Sequence, residues 1–403
     1  DITFQFYYPE PEEIVSQQRD YIRGYVTRAE NTLTSTDFSN PDEGCLKYLD
    51  AASFAEFMLV SELSREVDKY RYSTFFFKQK DSDGGKLFAG PVWDFNLGYG
   101  NVDYWPPGIS PAGWLYLSVA PAESSIMFWW KRLMEDPYFS DLARTRWNGL
   151  RQTVWSDNEV NSVIDSITTL IGDEKERNYE RWPILGTYVW PNYNWQNNDY
   201  EDEVAWFRNF LIQRLHWMDS NLPGRELHPW AGISADGNRI RLKVYDDYFA
   251  HPMLKPGHFH LNDAPAGMTV KAVEYLNASE CMLVVSQDAK GFPGISVTVE
   301  KKIINTWQGL TSNKRASAGT GNLFSEAGIS IFCASGLIHI RCDQPEKLPD
   351  QAEILNIAGQ TVGIFSLEKI TENIVDIHLV PGMYFMKLMT EPTPQIRRLV
   401  ITR

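Results

Sequence analysis

DKYRYSTFFFKQKDSDGGKLFAGPVWDFNLGYGN, residues 68–101, is the stretch on which the reading of this chain turns. It opens with an acid, Asp68, at the end of a helical pattern. A short apolar run follows, DSDGG at 81–85 reverses the chain, and a second apolar run returns into a glycine-rich Trp-Asp-Phe-Asn turn. Two runs joined by Asp and Gly residues read as a β-hairpin. Asp68 and Asp94 therefore flank a hairpin that can bring them together. Two acids by themselves are equally well explained by a helix end and a turn closure, so their meaning depends on the sequence around them.

Upstream, Ile14, Tyr21, Ile22, Tyr25, Val26, Ala29 and Leu33 recur at helical spacing, and Ser53 with Glu56 reads as a capping box for a helix through Phe54 and Leu63. Residues 1–8 alternate like a strand that Pro9 and Pro11 break. Downstream comes a Pro/Gly/Trp-rich loop at about 104–122. Three helical patterns follow at 126–134, 139–150 and 160–171, then an irregular Trp- and Asn-rich segment at 178–198. A last helix carries Val204, Phe207, Phe210, Leu211, Leu215 and Met218, and Pro223-Gly224 stops it.

Beyond that stop the texture changes. Arg239–Tyr245, Thr269–Tyr275, Met282–Ser286 and Ile295–Glu300 are short alternating or β-branched runs between turn residues. SNKRASAGTGN at 312–322 reads as a linker, and strands are expected at 329–333, 337–342, 353–357, 361–366, 374–380, 383–390 and 396–401. The expected fold is multidomain. A mainly helical α+β unit spans 1–224, and two antiparallel β-sandwich domains follow at 225–312, of immunoglobulin-like type, and 323–403.

The composition narrows the function classes. The 403 residues carry a formal charge of −14, a field that disfavours nucleic acid and anionic membrane as partners. No apolar run approaches the ~18 residues of a membrane helix. Aromatics make up 13% of the chain, enough for deep cores or for glycan- and protein-facing loops. The four cysteines show no metal-ligand spacing. Cys333 and Cys342 lie on neighbouring candidate strands, but a tight turn does not set them opposite each other. DSDGG resembles the start of a calcium loop whose closing Glu is missing, since position 92 is Val, and it reads better as a hairpin turn.

EVDKYRYSTFFFKQKDSDGGKLFAGPVWDFNLGYGN at 66–101, with DEGCLKYLDAASFAEFMLVSELSR at 42–65, is similar to the signature of the CotH kinase family, named after a spore-coat protein that acts as an atypical protein kinase. The resemblance covers roughly residues 1–222. It implies a kinase-like carboxyl-terminal lobe that moves a phosphoryl group from ATP, with Mg or Mn, to a Ser or Thr hydroxyl. It implies Asp68 as the catalytic carboxylate and Asp94 as the metal ligand. Ordinary kinases place a metal-binding Asn five positions after the catalytic Asp. Ser73 stands there, so Ser73 and Asn96 are the further candidate ligands, with Glu62 as a supporting acid. Nothing ahead of Asp68 resembles a glycine-rich loop or phosphate-binding lysine. The chain is therefore expected to be the carboxyl-terminal part of a longer protein and to bind ATP weakly or not at all.

EILNIAGQTVGIFSL, IVDIHLVPGMYFMKL and RRLVITR resemble the sorting domain of proteins exported by the type IX secretion pathway, and residues 233–312 resemble immunoglobulin-like modules of bacterial surface proteins. Both imply a secreted or cell-surface location. The rival reading is a non-enzymatic surface scaffold whose aromatic loops bind glycan or protein. A glycosidase acid pair fits less well, because the order of Asp68 and Asp94 follows the kinase pattern.

Overall fold

The computed structural model describes residues 4–118, 127–292, 294–312, 328–334, 337–356, 359–375, 379, 382–389 and 395–401. The chain divides into two compact units, Asp1–Arg225 and Glu226–Arg403.

The first unit is built around one helix. The helices α1 (Ser16–Thr34) and α2 (Ala51–Ser64) precede a hairpin of β1 (Phe76–Lys78) and β2 (Leu87–Ala89). Then come a single turn, α3 (Pro106–Ile109), and α4 (Met127–Met134), α5 (Pro137–Arg151), α6 (Asp157–Ile171), α7 (Glu174–Arg181) and α8 (Tyr200–Asn221). α2 is buried nearly all round, from Phe54 and Phe57 to Met58, Leu59 and Leu63. A helix with no polar face has to lie at the centre of its unit. Phe54 stacks on Trp130 of α4 at 5.3 Å, and Trp130 Nε1 donates to the Phe54 carbonyl at 3.1 Å. The hairpin docks at the start of the same helix, with Asp50 N on Leu87 O and Leu87 N on Tyr48 O, both at 2.9 Å.

Three local expectations are corrected. α2 is capped not by Ser53 with Glu56 but by Asp50, whose carboxylate accepts from Ser53 N at 2.8 Å. Glu56 instead pairs with Arg146 across the surface at 2.7 Å. Asp50→Ala is expected to cost about 1 kcal/mol, read as a lower urea midpoint of the helical circular-dichroism signal. Residues 4–8 form no strand. Their rings take the place of backbone pairing, Phe4 against Phe76 at 6.3 Å and Tyr7 against Phe75 at 5.6 Å. The irregular segment expected from 178 begins inside α7.

The second unit has no α-helix among its described residues, and its named strands all pair antiparallel. β3 (Trp230–Asp236), β4 (Arg239–Tyr245), β6 (Val270–Asn277) and β7 (Glu280–Val285) form a sheet in the order β3-β4-β7-β6. β5 (Phe259–Asn262), β8 (Ser296–Val299) and β9 (Leu310–Thr311) form a second, and both feed one core that includes Leu242, Leu283, Val297 and Val299. β3, β5 and β9 escaped the sequence reading, which found the runs that became β4, β6, β7 and β8. The remaining strands are β10 (Ile329–Ala334), β11 (Leu337–Cys342), β12 (Gln351–Leu355), β13 (Thr361–Ser366), β14 (Glu372–Val375), β15 (Gly382–Leu388) and β16 (Gln395–Ile401). They pair as β10-β11-β14 and β13-β12-β15-β16 around a separate core with Ile340, Ile354 and Met386. The register sets Cys333 opposite Ile338 and Cys342 opposite Ile329, so the two cysteines are not cross-strand neighbours. Most of the expected 312–322 linker lies outside the described residues.

Candidate active site

The chain leaves α2 under strain. Among the described residues eight non-glycine positions have left-handed backbone, and five of them, Arg65, Tyr70, Ser73, Asp94 and Tyr99, lie between the end of α2 and the end of the glycine-rich turn. Each such residue costs on the order of 1–3 kcal/mol, and strain of this kind persists only where surrounding contacts over-determine it. Here those contacts are buried charges.

Glu62, in the last turn of α2, is fully buried. Its Oε1 accepts from Tyr70 Oη and Tyr116 N, both at 3.0 Å, and its Oε2 from Leu115 N at 2.8 Å and Arg214 Nη2 at 3.1 Å. Arg214 comes from α8 and also donates Nε to the Glu62 carbonyl at 2.7 Å and Nη1 to Gly113 O at 2.7 Å. Arg65 gives its Nε to Pro107 O at 3.1 Å and its Nη1 to Gly113 O. Glu62 thus ties α8 and the 107–116 loop to α2. It reaches the Asp68 segment through Tyr70, two residues on.

Two residues that sequence reasoning passed over hold the site together. Glu66 is buried and accepts from Asp68 N at 3.3 Å and from Leu97 N at 2.7 Å, so one carboxyl bridges the loop before the hairpin and the turn after it. Lys69 is buried too. Its Nζ donates to Asp94 O at 2.8 Å, to Ser73 O at 3.3 Å and to Trp93 O, and sits 4.1 Å from the centre of the Phe95 ring. The available signal was the opposite charges of Glu66 and Lys69 on either side of Asp68. Burial lowers the Lys69 pKa, while Glu66, Asp94 and Asp68 act against that fall, so both candidate carboxylates lie within electrostatic reach of its ammonium.

Burial also pushes Glu66 up to about 7, against the pull of the two amides and of Lys69. Between its ordinary 4.5 and about 7 the folded chain then holds a proton that the unfolded chain releases. Stability must fall as pH rises through that window. Glu66→Gln is expected to flatten this slope in urea unfolding between pH 5 and 7. An unchanged slope would assign it to other groups.

Asp68 is half-buried, with Oδ1 3.8 Å from Arg71 Nη2. Asp94 is exposed at the surface of its turn, and Ser73 Oγ lies 3.5 Å from its Oδ2. Asn96 is exposed and its carbonyl accepts from Asn101 Nδ2 at 2.8 Å. The fold therefore brings Ser73 to Asp94 and ties the Asp94 carbonyl to the buried ammonium of Lys69, the residue after Asp68. Among the described residues no three His, Cys, Asp or Glu side chains converge as a metal cage.

The turn after Asp94 is packed rather than loose. Tyr99 N donates to Ser64 O at 2.6 Å, and at Gly100, φ +82°, a Cβ would stand 3.0 Å from the Phe210 ring. Beyond it Tyr188 Oη donates to Asp103 at 2.6 Å, and Trp190 stacks on Tyr104 at 5.8 Å, both rings largely exposed.

No curated protein matches the chain. Among solved structures, pullulanase from Bacillus acidopullulyticus aligns over 42% of this chain and 24% of its own, at 11% identity and a TM-score of 0.14, which carries no argument about fold or function. The model of the family described as CotH kinase protein matches residues 2–218, more than half of the chain and nearly all of the first unit. The strained hairpin with its two carboxylates lies inside that match, and the chain belongs to the CotH kinase protein family.

Proposed function

We propose that this chain carries the base- and metal-holding half of a site that transfers the terminal phosphoryl group of a nucleotide to a Ser or Thr hydroxyl of a protein. The observation that carries the reading is the pair of buried charges next to Asp68: Glu66 ties Asp68 N to Leu97 N of the later turn, and Lys69 ties the chain after Asp68 to the carbonyl of Asp94. Asp68 accepts the proton of the attacking hydroxyl, while the hydroxyl oxygen bonds to phosphorus and the bridging P–O bond to the leaving diphosphate breaks. Asp94, Ser73 and Asn96 would hold Mg or Mn. An all-oxygen set with few carboxylates suits an ion that keeps its waters and takes other ligands from phosphates. When bound, that ion would neutralise charge on the phosphates during transfer. The test is labelling of the chain or of a Ser-rich protein by ATP in magnesium or manganese. No transfer under either metal sinks the proposal.

The second unit supports an extracytoplasmic setting on the two resemblances of its sequence, one to immunoglobulin-like modules and one to a secretion-sorting domain. No described helix is long and apolar enough to cross a membrane. Fractionation of cells making a tagged chain tests the location, and a purely cytoplasmic signal overturns it. A second reading, a binding scaffold for glycan or protein, draws on the exposed Tyr104, Trp182, Tyr188, Trp190 and Tyr193. It requires binding that Asp68→Asn and Asp94→Ala leave intact, and a blank glycan array removes its sugar version.

A further inference from the structure

The aromatic pair beyond the glycine-rich turn stands on a packed base. Val102 is fully buried in a small core with Val67 and Leu97, and Trp105 packs against it. The contact is close, since a Cβ on Gly108 would stand 2.4 Å from Val102 and 3.0 Å from Val67. Pro107 takes Arg65 Nε on its carbonyl at 3.1 Å. Tyr104 is therefore pinned on both sides against the residue that precedes Asp68. Trp190 comes from a separate loop, closed by Gly186 N on Asn197 O at 2.8 Å and tied down by Tyr188 Oη on Asp103. The two rings lie within 12° of parallel, yet Trp190 stays 63% exposed and Tyr104 48%. Aromatic surface fixed in place and left in water is suited to cover a partner.

The acid next to the pair lacks a cation. Asp103 accepts from Tyr188 and forms no ion pair with Lys or Arg among the described residues. Burial first, and then the Asp68 carboxylate, raise the Tyr104 phenol above its ordinary pKa, with Arg71 acting against them. Asp68 is thus the charge that Tyr104 feels most. The rings stand on the side of the site where a hydroxyl must meet its base.

We propose that Tyr104 and Trp190 are positioning residues for the acceptor protein, their stacked rings holding an arginine side chain close to the Ser or Thr that faces Asp68, with Asp103 matching its charge. The proposal names the acceptor class and rests on the reading of Asp68 as the base. A ring face attracts a cation, and a planar guanidinium stacks on it where an ammonium brings a point charge. A nucleotide base fits the rings as well, but its phosphates bring the charge that Asp103 repels.

The test is fluorescence anisotropy of a labelled peptide of alternating Ser and Arg, titrated with the full chain, beside the same peptide with Gln for Arg. The Arg peptide is expected to bind at least about fivefold tighter. Trp190→Ala should weaken it by about fivefold or more, Trp190→Phe by less. Asp103→Asn, which keeps an oxygen for Tyr188, should narrow the preference for Arg. Trp307→Ala, which removes an exposed ring of the second unit, should change nothing. Thermal unfolding checks that Trp190→Ala folds, and if it does not, Asp103→Asn reads the same contact. Equal binding by the unsubstituted chain and both variants overturns the proposal, as does a chain that does not prefer Arg to Gln. In labelling assays Trp190→Ala should raise the KM for the peptide and leave kcat nearly unchanged. A rise in the KM for ATP instead gives the rings to the nucleotide and overturns the proposal. If ATP labels nothing while peptide binding still depends on Trp190, the transferase reading fails and the platform stands.

Discussion

Asp94→Ala is expected to abolish phosphate labelling, leaving a residue at least about 10²-fold below the unsubstituted chain, the scale on which removing one preorganised charge partner is felt. Asp94 projects from a left-handed backbone position with φ 58° and is exposed, so its carboxylate is presented outward at a conformational cost. Its carbonyl, not its carboxylate, is what Lys69 holds at 2.8 Å, so the turn keeps its anchor when the side chain is cut back. A glycine at the same place relieves the left-handed strain. Asp94→Gly should therefore be as inactive as Asp94→Ala and melt at an equal or higher temperature than the unsubstituted chain, the opposition of activity and stability expected of a strained functional residue. Asp68→Asn should lose transfer to a similar degree, since an amide cannot take the hydroxyl proton. Labelling that persists in Asp94→Ala would remove Asp94 from the reaction.

Glu62→Ala should be the most damaging single change to the first unit, costing about 3–5 kcal/mol, because it strands a buried cation. It leaves Arg214 without its carboxylate partner at 3.1 Å and takes the acceptor from Leu115 N, Tyr116 N and Tyr70 Oη. Burial already lowers the Arg214 pKa to about 9, with Glu62 working against that fall, so losing the acid removes what favours the charge there. Among the described residues α-helices occur only in the first unit, so the 222 nm signal in urea follows mainly that unit. The double change Glu62→Gln with Arg214→Met should be milder than Glu62→Ala, since no ion then lacks its partner. A loss below about 1 kcal/mol for Glu62→Ala would mean that the hub does not hold α8 and the 107–116 loop in place.

The parts of the fold that depend on local pattern were legible. The apolar positions from Tyr21 to Leu33 and from Val160 to Ile171 carry a helical period, and the helices form there. DSDGG is a turn between β1 and β2, as its residues dictate. The strands β3, β5 and β9 were not legible, because pairing partners rather than alternation make them strands. At the site, Asp68 and Asp94 could be picked out because they flank the hairpin, and Ser73 by its place five positions after Asp68 in the kinase resemblance. Glu62 was read as a supporting acid, yet its partner Arg214 lies 152 residues away, a separation that no window along the chain can span.

The sequence by itself determined the order of elements, the change from helix to strand after Pro223-Gly224, the hairpin between two acids, and the family. Those follow from periodicity, turn chemistry and motif, which act over a few residues. Only the tertiary structure decided which charges are buried and what they grip: Glu66 on two amides, Lys69 on three carbonyls, Arg214 on Glu62. The physical reason is that burying a charge is tolerated only where the whole fold supplies its partners, and those partners come from segments that the chain brings together only by folding.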